Sequence, residues 1–187
     1  MSKARRQWNW QKSLVIAVIL AVFSGPLLYS FGLIPSLKLV FFNGTRSAPV
    51  GIYLAAADQT LAAGDYVVLS PPEATRPYLY GRRWTTAPYL LKRVAALPGE
   101  EYERKLPWLM AGDKAAYIFR TDPDGLPLPI PPDGVFTVPA GHVLLVSWEV
   151  EQSFDSRYFG PVVQAQVVRK VVPWITLPPE LEKWLPE

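Results

Sequence analysis

The longest apolar stretch of the chain lies close to its beginning, between Lys12 and Lys38. It contains no charged residue and reads SLVIAVILAVFSGPLLYSFGLIPS. About 20 apolar residues cross a bilayer as a helix, and glycine and proline are tolerated there better than in soluble helices. The pattern therefore predicts a transmembrane anchor over residues 13–35, crossing once because no second run of this kind follows.

The charges that precede the apolar stretch predict its orientation. Residues 1–12 contain four basic residues and no acidic one, and positive flanks stay in the cytoplasm. We expect a cytoplasmic tail over 1–12 and an extracytoplasmic domain over 36–187. A cleaved signal peptide is the main alternative, but the run is long and no A-x-A cleavage site follows it. A buried helix of a soluble protein would show a polar face, which the run lacks.

The pattern after residue 36 is typical of strands. Short apolar or alternating segments are bounded by proline, glycine and aspartate turns. They cover residues 37–42, 51–56, 65–70, 89–97, 115–120, 135–138, 142–147 and 164–175. This spacing predicts a mostly β, antiparallel, barrel-like or sandwich-like domain. Residues 71–88 indicate a loop or small insertion, and residues 121–134 a proline-rich connection.

Composition narrows the classes of function. Twenty prolines and twelve glycines argue against a helical bundle. The chain has no cysteine and one histidine, His142, so we expect no metal site and no cofactor. The net charge of +3 is spread along the sequence, which argues against a nucleic-acid partner.

The segment NGTRSAPVGIY, residues 43–53, offers a candidate nucleophile. Asn, Gly, Ser and Pro together are also ordinary turn residues. In the functional interpretation, Ser47 projects from a tight turn and its amide faces the attacked carbonyl. Thr45 lies two residues earlier, where its hydroxyl would contact the same oxyanion.

The segment YLLKRVAALPGE, residues 89–100, places a lysine inside an apolar strand. Lys92 either points to solvent from a half-exposed strand or lies buried. Burial without a charged partner lowers the pKa of a lysine, and a neutral amine can take a proton from a serine hydroxyl. Lys92 is therefore a candidate general base.

The segment SFDSRYFGP, residues 153–161, is the third candidate. It is either a plain turn held by Asp155 and Arg157, or a segment whose Ser153 hydroxyl bonds and orients the lysine amine. In the second interpretation Asp155 and Arg157 are scaffold charges and not catalysts.

The order and wording of these segments resemble the S26 signal peptidase family and, more closely, its TraF-type conjugative-transfer branch. The family's nucleophile box, N-x-T-x-S-x-P-x-G-x-Y, matches residues 43–53. Its lysine–arginine pair leading into P-G-D/E matches Lys92, Arg93 and residues 98–100. Its last box, S-x-D-S-R-Y-F-G-P, matches residues 153–161. The resemblance spans about residues 10–172.

This resemblance implies a signal-peptidase fold and a serine endopeptidase with a Ser–Lys dyad. Ser47 would be the nucleophile and Lys92 the base, with Thr45 assisting the oxyanion and Ser153 orienting the lysine. The substrates would be membrane-tethered exported precursors, pilin-like or related to conjugation, with small residues at the first and third positions before the cut. The site would lie in the periplasm, on a single-pass protein of the bacterial inner membrane, in contact with the lipid bilayer.

Two departures distinguish the chain from general signal peptidases. Ser47 is followed by Ala48 and Pro49 instead of M-x-P-T. Residues 147–151 (SWEVE) replace the family's G-D-N-R-D segment. The acidic partner of Arg93 is therefore open, with Glu149 as a candidate. Both departures favour the specialised branch.

Three rival functions have their own signatures. A Ser-His-Asp hydrolase would need His142, which we expect to be structural because it lies where a turn meets a strand. A non-catalytic pilus or conjugation assembly factor would not need to retain Ser47 and Lys92. A housekeeping type I signal peptidase would be longer and carry a second membrane span.

Overall fold

The computed structural model describes residues 39–45 and 47–182. Within these ranges no helix has the length and apolar character that a bilayer crossing requires. The predicted tail (1–12) and anchor (13–35) lie outside the described residues, so both remain predictions.

Most of the regular structure in the described chain consists of short strands. They are β1 (Val40–Asn43), β2 (Gly51–Ala55), β3 (Tyr66–Leu69), β4 (Leu90–Ala96), β5 (Glu101–Lys105), β6 (Trp108–Ala111), β7 (Lys114–Tyr117), β8 (Gly134–Thr137), β9 (His142–Leu145), β10 (Val162–Val163) and β11 (Val167–Thr176). The α-helical turns are α1 (Arg76–Leu79), α2 (Ser156–Phe159) and α3 (Pro179–Glu182), with 3₁₀ turns at Glu73–Thr75 and Gln164–Gln166.

The larger sheet has seven strands in the order β1-β2-β11-β3-β4-β9-β10. Its neighbouring strands run antiparallel, which confirms the predicted mostly β, antiparallel fold. The long strand β11 pairs with both β2 and β3. Its Pro173, which cannot donate to a ladder, lies beside a register irregularity.

The smaller sheet has four strands in the order β7-β6-β5-β8. Tyr102 and Arg104 are buried in β5, whereas Glu101 and Lys105 are exposed. A buried apolar cluster joins residues of both sheets: it includes Leu109 of β6 together with Ala96 of β4 and Leu144 of β9.

One apolar cluster of the larger sheet includes residues that neighbour Lys92 in the strands. It contains Val67, Leu69, Val94, Val143, Leu145 and Val162. Lys92 lies opposite Val67 in the β3–β4 ladder, two residues before Val94. Because alternate strand residues share a face, Lys92 lies on the same face of the sheet as Val94 and this cluster.

The two predicted connections contain little regular structure. Residues 71–88 hold only a 3₁₀ turn and helix α1. Arg82 fastens this segment to residues 121–134, since it bonds the Asp122 carboxylate at 2.6 Å and the Pro127 carbonyl at 2.8 Å.

Candidate active site

The turn that carries Ser47 is organised by the side chain of Asn43. This amide is buried at the end of β1, and its Nδ2 donates to the carbonyl of Thr45 at 2.8 Å and of Ala48 at 2.9 Å. Its Oδ1 accepts from the amide and hydroxyl of Thr45, at 3.2 and 3.0 Å. The Asn43 side chain thus forms hydrogen bonds to backbone groups before and after Ser47 and fixes the conformation of the turn.

The region just after the turn is fixed by Tyr53 and Gly51. The buried Tyr53 donates its hydroxyl proton to the Pro49 carbonyl at 2.7 Å. Gly51 has φ of +155°, and a Cβ there would lie 2.1 Å from the Ile175 carbonyl oxygen of β11. The glycine is therefore required by the close approach of two strands.

The Ser47 side chain is half-buried and meets two groups. Its Oγ lies 2.9 Å from the Thr45 hydroxyl, and it makes a long 3.5 Å hydrogen bond to the Leu91 carbonyl. Leu91 precedes Lys92 in β4, so the serine turn rests against the strand that carries the lysine.

Lys92 is buried, with 4% of its surface exposed. Its Nζ donates to the Ser153 hydroxyl at 2.9 Å. Burial lowers the pKa of the lysine from 10.5 to about 8, with the nearby Asp155 opposing and Arg157 reinforcing the shift. The solvent-exposed alternative for this lysine is therefore wrong.

Asp155 and Arg157 form a fully buried ion pair. Arg157 donates from Nε to Oδ1 at 2.9 Å and from a terminal nitrogen to Oδ2 at 2.8 Å. Its remaining N–H groups reach the carbonyls of Tyr117, Val150 and Glu151. Asp155 also caps helix α2 by accepting from the Arg157 amide. The pair ties the loop after β9 to the smaller sheet.

Arg93 points away from Lys92 and toward a surface acid. It forms an ion pair with Glu149 and donates from Nε to the Gly64 carbonyl at 2.8 Å. Its guanidinium also lies over the Tyr66 ring, 5.2 Å from the centroid. Glu149 is thus the acidic partner that the sequence left open.

His142 stands apart from these groups. It is half-buried at the start of β9, pairs with Val163, and its Nδ1 lies 3.0 Å from the Ala140 carbonyl. Lys92 lies on the neighbouring strand β4, whose Val94 pairs with Leu145 at the other end of β9. The ring therefore has a local structural contact at the opposite end of β9.

The predicted site residues fall into two groups that meet at β4. Thr45 and Ser47 lie on the turn, whereas Lys92, Ser153, Asp155 and Arg157 form the buried network. In the part of the chain that the structure describes, no hydrogen bond joins Ser47 Oγ to Lys92 Nζ. The turn is linked to β4 by the hydrogen bond from Ser47 to the carbonyl of Leu91, the residue before Lys92.

Sequence reasoning missed two buried polar side chains next to this network. Asn43 is predicted as a turn residue and as the first position of the nucleophile box, but not as the buried side chain that braces the turn; its position at the end of an apolar strand is the signal for that role. Ser156 is buried and accepts from the Leu145 amide at 3.0 Å. Its neighbours in sequence gave no indication of that role.

Comparisons with known proteins identify a family and several similar proteins. The sequence matches the family described as "Signal peptidase, peptidase S26" over residues 7–175. It is 31% identical over 145 residues to a plasmid transfer protein TraF of Escherichia coli, covering 72% of this chain and 81% of the relative. A conjugal transfer protein TraF of Agrobacterium tumefaciens is 34% identical over 155 residues, covering 73% and 82%. A crystal structure of a signal peptidase I from Enterococcus faecalis aligns at 21% identity and a TM-score of 0.38, covering 62% of this chain and all of that one.

Proposed function

Because the chain belongs to the S26 signal peptidase family and is TraF-like, we propose that it is a membrane-anchored serine endopeptidase with Ser47 as nucleophile and Lys92 as general base. The observation that carries this proposal is the environment of Lys92. The amine is buried, its pKa is lowered to about 8, and its hydrogen bond goes to the neutral hydroxyl of Ser153.

The lowered pKa decides how much base is available at neutral pH. With a pKa of about 8, roughly a tenth of the lysine is neutral at pH 7. With the ordinary pKa of 10.5, the lysine would be neutral in only about one molecule in three thousand at the same pH. Burial thus makes a strong base usable without a histidine.

The reaction then follows the path of covalent catalysis. Neutral Lys92 takes the proton of Ser47 while Oγ bonds to the scissile carbonyl carbon. The Ser47 amide and the Thr45 hydroxyl stabilise the oxyanion, the latter supported by its 2.9 Å contact with Ser47. As the C–N bond breaks, Lys92 returns the proton to the leaving amine. Water, or an amine of the substrate, resolves the acyl-enzyme.

Precursors held in the same bilayer are the proposed substrates. We assign exported, pilin-like or conjugation-related precursors with small residues at the first and third positions before the cut. The names of the relatives, plasmid transfer and conjugal transfer proteins, support this class. With the anchor at 13–35 in the inner membrane and the site in the periplasm, the serine would stand close to the membrane. Tethering both partners there raises their effective concentration.

The dyad is tested with Ser47→Ala, Lys92→Met and the double variant of the full chain. Methionine keeps an unbranched side chain, one atom shorter than that of lysine, and removes the amine. Each single variant should lose turnover of a tethered precursor by roughly 10³-fold or more, and the double variant should be little worse, because the two groups act as a unit. His142→Ala should keep its activity.

The opposite outcomes separate the rival functions. Normal processing by Lys92→Met would contradict the dyad, and loss of processing in a folded His142→Ala would favour a triad. If the wild-type chain fails to cleave any precursor that its conjugation system exports, a non-catalytic assembly role replaces the protease. Processing of the general secretome would instead indicate a housekeeping signal peptidase.

A further inference from the structure

Ser147 carries a buried hydroxyl that the mechanism above does not use. The residue is 1% exposed, and its Oγ has no hydrogen-bond partner among the described residues. A buried hydroxyl without a partner is unfavourable. Such a group calls for an explanation, and a catalytic role is one of the known ones.

The strand register sets Ser147 across from Lys92. Val94 lies opposite Leu145 in the β4–β9 ladder, and the next bond runs from the Val146 amide to the Arg93 carbonyl at 2.9 Å. Continuing this register by one residue brings Ser147 opposite Lys92. Residues that face each other across an antiparallel pair have Cβ atoms roughly 4.5–5.5 Å apart.

The backbone of Ser147 is anchored in the same buried network. Its amide donates to the Asp155 carboxylate at 3.0 Å, and its carbonyl accepts from the Val150 amide at 3.2 Å. Asp155 in turn acts on the charge of Lys92. The register therefore sets Ser147 across from Lys92, and its amide bonds the same carboxylate that acts on the lysine charge.

The proposed reaction requires one more hydrogen-bond acceptor near Lys92 than the resting site provides. A neutral lysine amine has two N–H groups and a lone pair, but the ammonium formed by proton transfer has three N–H groups and no acceptor. Ser153 accepts one of them, and Ser47 or the leaving nitrogen takes the second. A third donor left unpaired in a buried site would raise the energy of the intermediate.

We infer that the Ser147 hydroxyl accepts this third N–H once Lys92 has taken the proton of Ser47, which makes Ser147 a positioning residue for the general base. The inference rests on the proposed function, because only a lysine that becomes charged during turnover needs a third acceptor. The Ser47 O–H bond breaks and an Nζ–H bond forms. Ser147 gains a hydrogen bond and exchanges no proton.

A hydroxyl suits this position better than a carboxylate. The charged groups that act on Lys92 are Asp155 and Arg157, and they are paired with each other. Arg93, the other neighbouring cation, is paired with Glu149. A further carboxylate would raise the pKa of Lys92 strongly, so that the lysine would keep its proton. A neutral hydroxyl stabilises the ammonium by one hydrogen bond and therefore raises the pKa much less.

The test compares Ser147→Ala with wild type in the full chain, in detergent micelles with a tethered precursor. At pH 9, where Lys92 is neutral at the start, kcat should fall roughly tenfold, as expected for the loss of one hydrogen bond to a charged group. KM should stay the same. The pKa of Lys92 should move to a lower value, read by NMR of ¹³Cε-labelled lysine with the signal assigned by its absence in Lys92→Met.

Two further variants separate a positioning role from a structural one. Ser147→Thr keeps the hydroxyl and should recover most of kcat. Thr75→Val removes another buried hydroxyl, one that donates to the Pro72 carbonyl at 2.6 Å, and should leave kcat and the lysine pKa unchanged. If the extra methyl of threonine prevents folding, the comparison of Ser147→Ala with Thr75→Val decides.

Unchanged kcat and an unchanged lysine pKa in Ser147→Ala would overturn the inference. That result leaves the dyad standing if Ser47→Ala is inactive in the same assay. If Ser47→Ala or Lys92→Met remains active, the proposed function fails first. The two failures are therefore distinguishable.

Discussion

Two buried basic side chains, Lys92 and Arg157, lie in the same network but are stabilised in different ways. Arg157 makes two bonds to the Asp155 carboxylate and three to backbone carbonyls, so its charge is fully compensated. Lys92 bonds only the Ser153 hydroxyl among the described residues. Its pKa is lowered to about 8 by burial.

The difference shows how one carboxylate can stabilise the charge of one neighbouring cation much more than that of another. Because Arg157 occupies both oxygens of Asp155, the lysine senses this carboxylate only through space and without a direct bond. The arginine thus keeps a compensated charge, and the lysine is free to lose its proton. The same buried region provides a rigid scaffold and a base that is usable near neutral pH.

The largest expected effect comes from breaking the arginine's ion pair. Arg157→Met leaves Asp155 buried without its partner, which should cost about 3–5 kcal/mol in the free energy of unfolding. It should also raise the pKa of Lys92, because Arg157 lowers that value and Asp155 raises it. Denaturant unfolding of the full chain in micelles and the lysine NMR titration measure the two effects.

The double variant Asp155→Asn/Arg157→Met serves as the control for this prediction. It removes both charges and should recover part of the lost stability. A loss below about 1 kcal/mol in Arg157→Met would show that the pair is not the compensated buried charge described above.

A smaller effect is expected from removing the charge of Lys92. Folding lowers its pKa from 10.5 to about 8, so between these values the unfolded chain binds more protons and the wild-type stability rises with pH. The rise should amount to about 3 kcal/mol. Lys92→Met lacks the titrating amine, so its free energy of unfolding should not show this rise. The variant should therefore exceed the wild type in stability most clearly below pH 8, and the difference should shrink above pH 8. A stability difference that is constant from pH 7 to pH 11 would contradict the buried, neutral-preferring lysine.

The smallest effect is expected at the exposed ion pair beside the base. The side chains of Arg93 and Glu149 are 29% and 59% exposed, and such pairs contribute about 0–1 kcal/mol. Glu149→Gln should therefore change the free energy of unfolding by less than about 1 kcal/mol and leave the pH profile of turnover in place. A large loss of activity would assign Glu149 a role in the site that its geometry does not suggest.

The sequence pattern predicted most strands of both sheets, but not β5, β6 and β10. Strands with long apolar runs, such as β4, β9 and β11, were predicted close to their observed bounds. Strands β5 and β6 were missed, although Tyr102 and Arg104 alternate with exposed charged residues. The alternation was hidden because a buried arginine reads as a surface residue.

The site shows a similar division between local and long-range information. Ser47, Lys92 and Ser153 were found from their ordered segments, and the Lys92–Ser153 bond joins residues that lie 61 positions apart. No local pattern predicts that Arg157 would occupy both oxygens of Asp155. Nor does one predict that Ser147 would lie across from Lys92, since this depends on the β4–β9 register.

The pH dependence of kcat/KM is the measurement that tests the central claim most directly, because it reports the ionisation of the free enzyme. The full chain, cleaving a tethered precursor, should lose about tenfold in kcat/KM for each pH unit below about 8. The midpoint should coincide with the NMR titration of Lys92 and persist in His142→Ala. A rate that is constant from pH 6 to pH 9, or a midpoint that disappears in His142→Ala, would contradict Lys92 as the base.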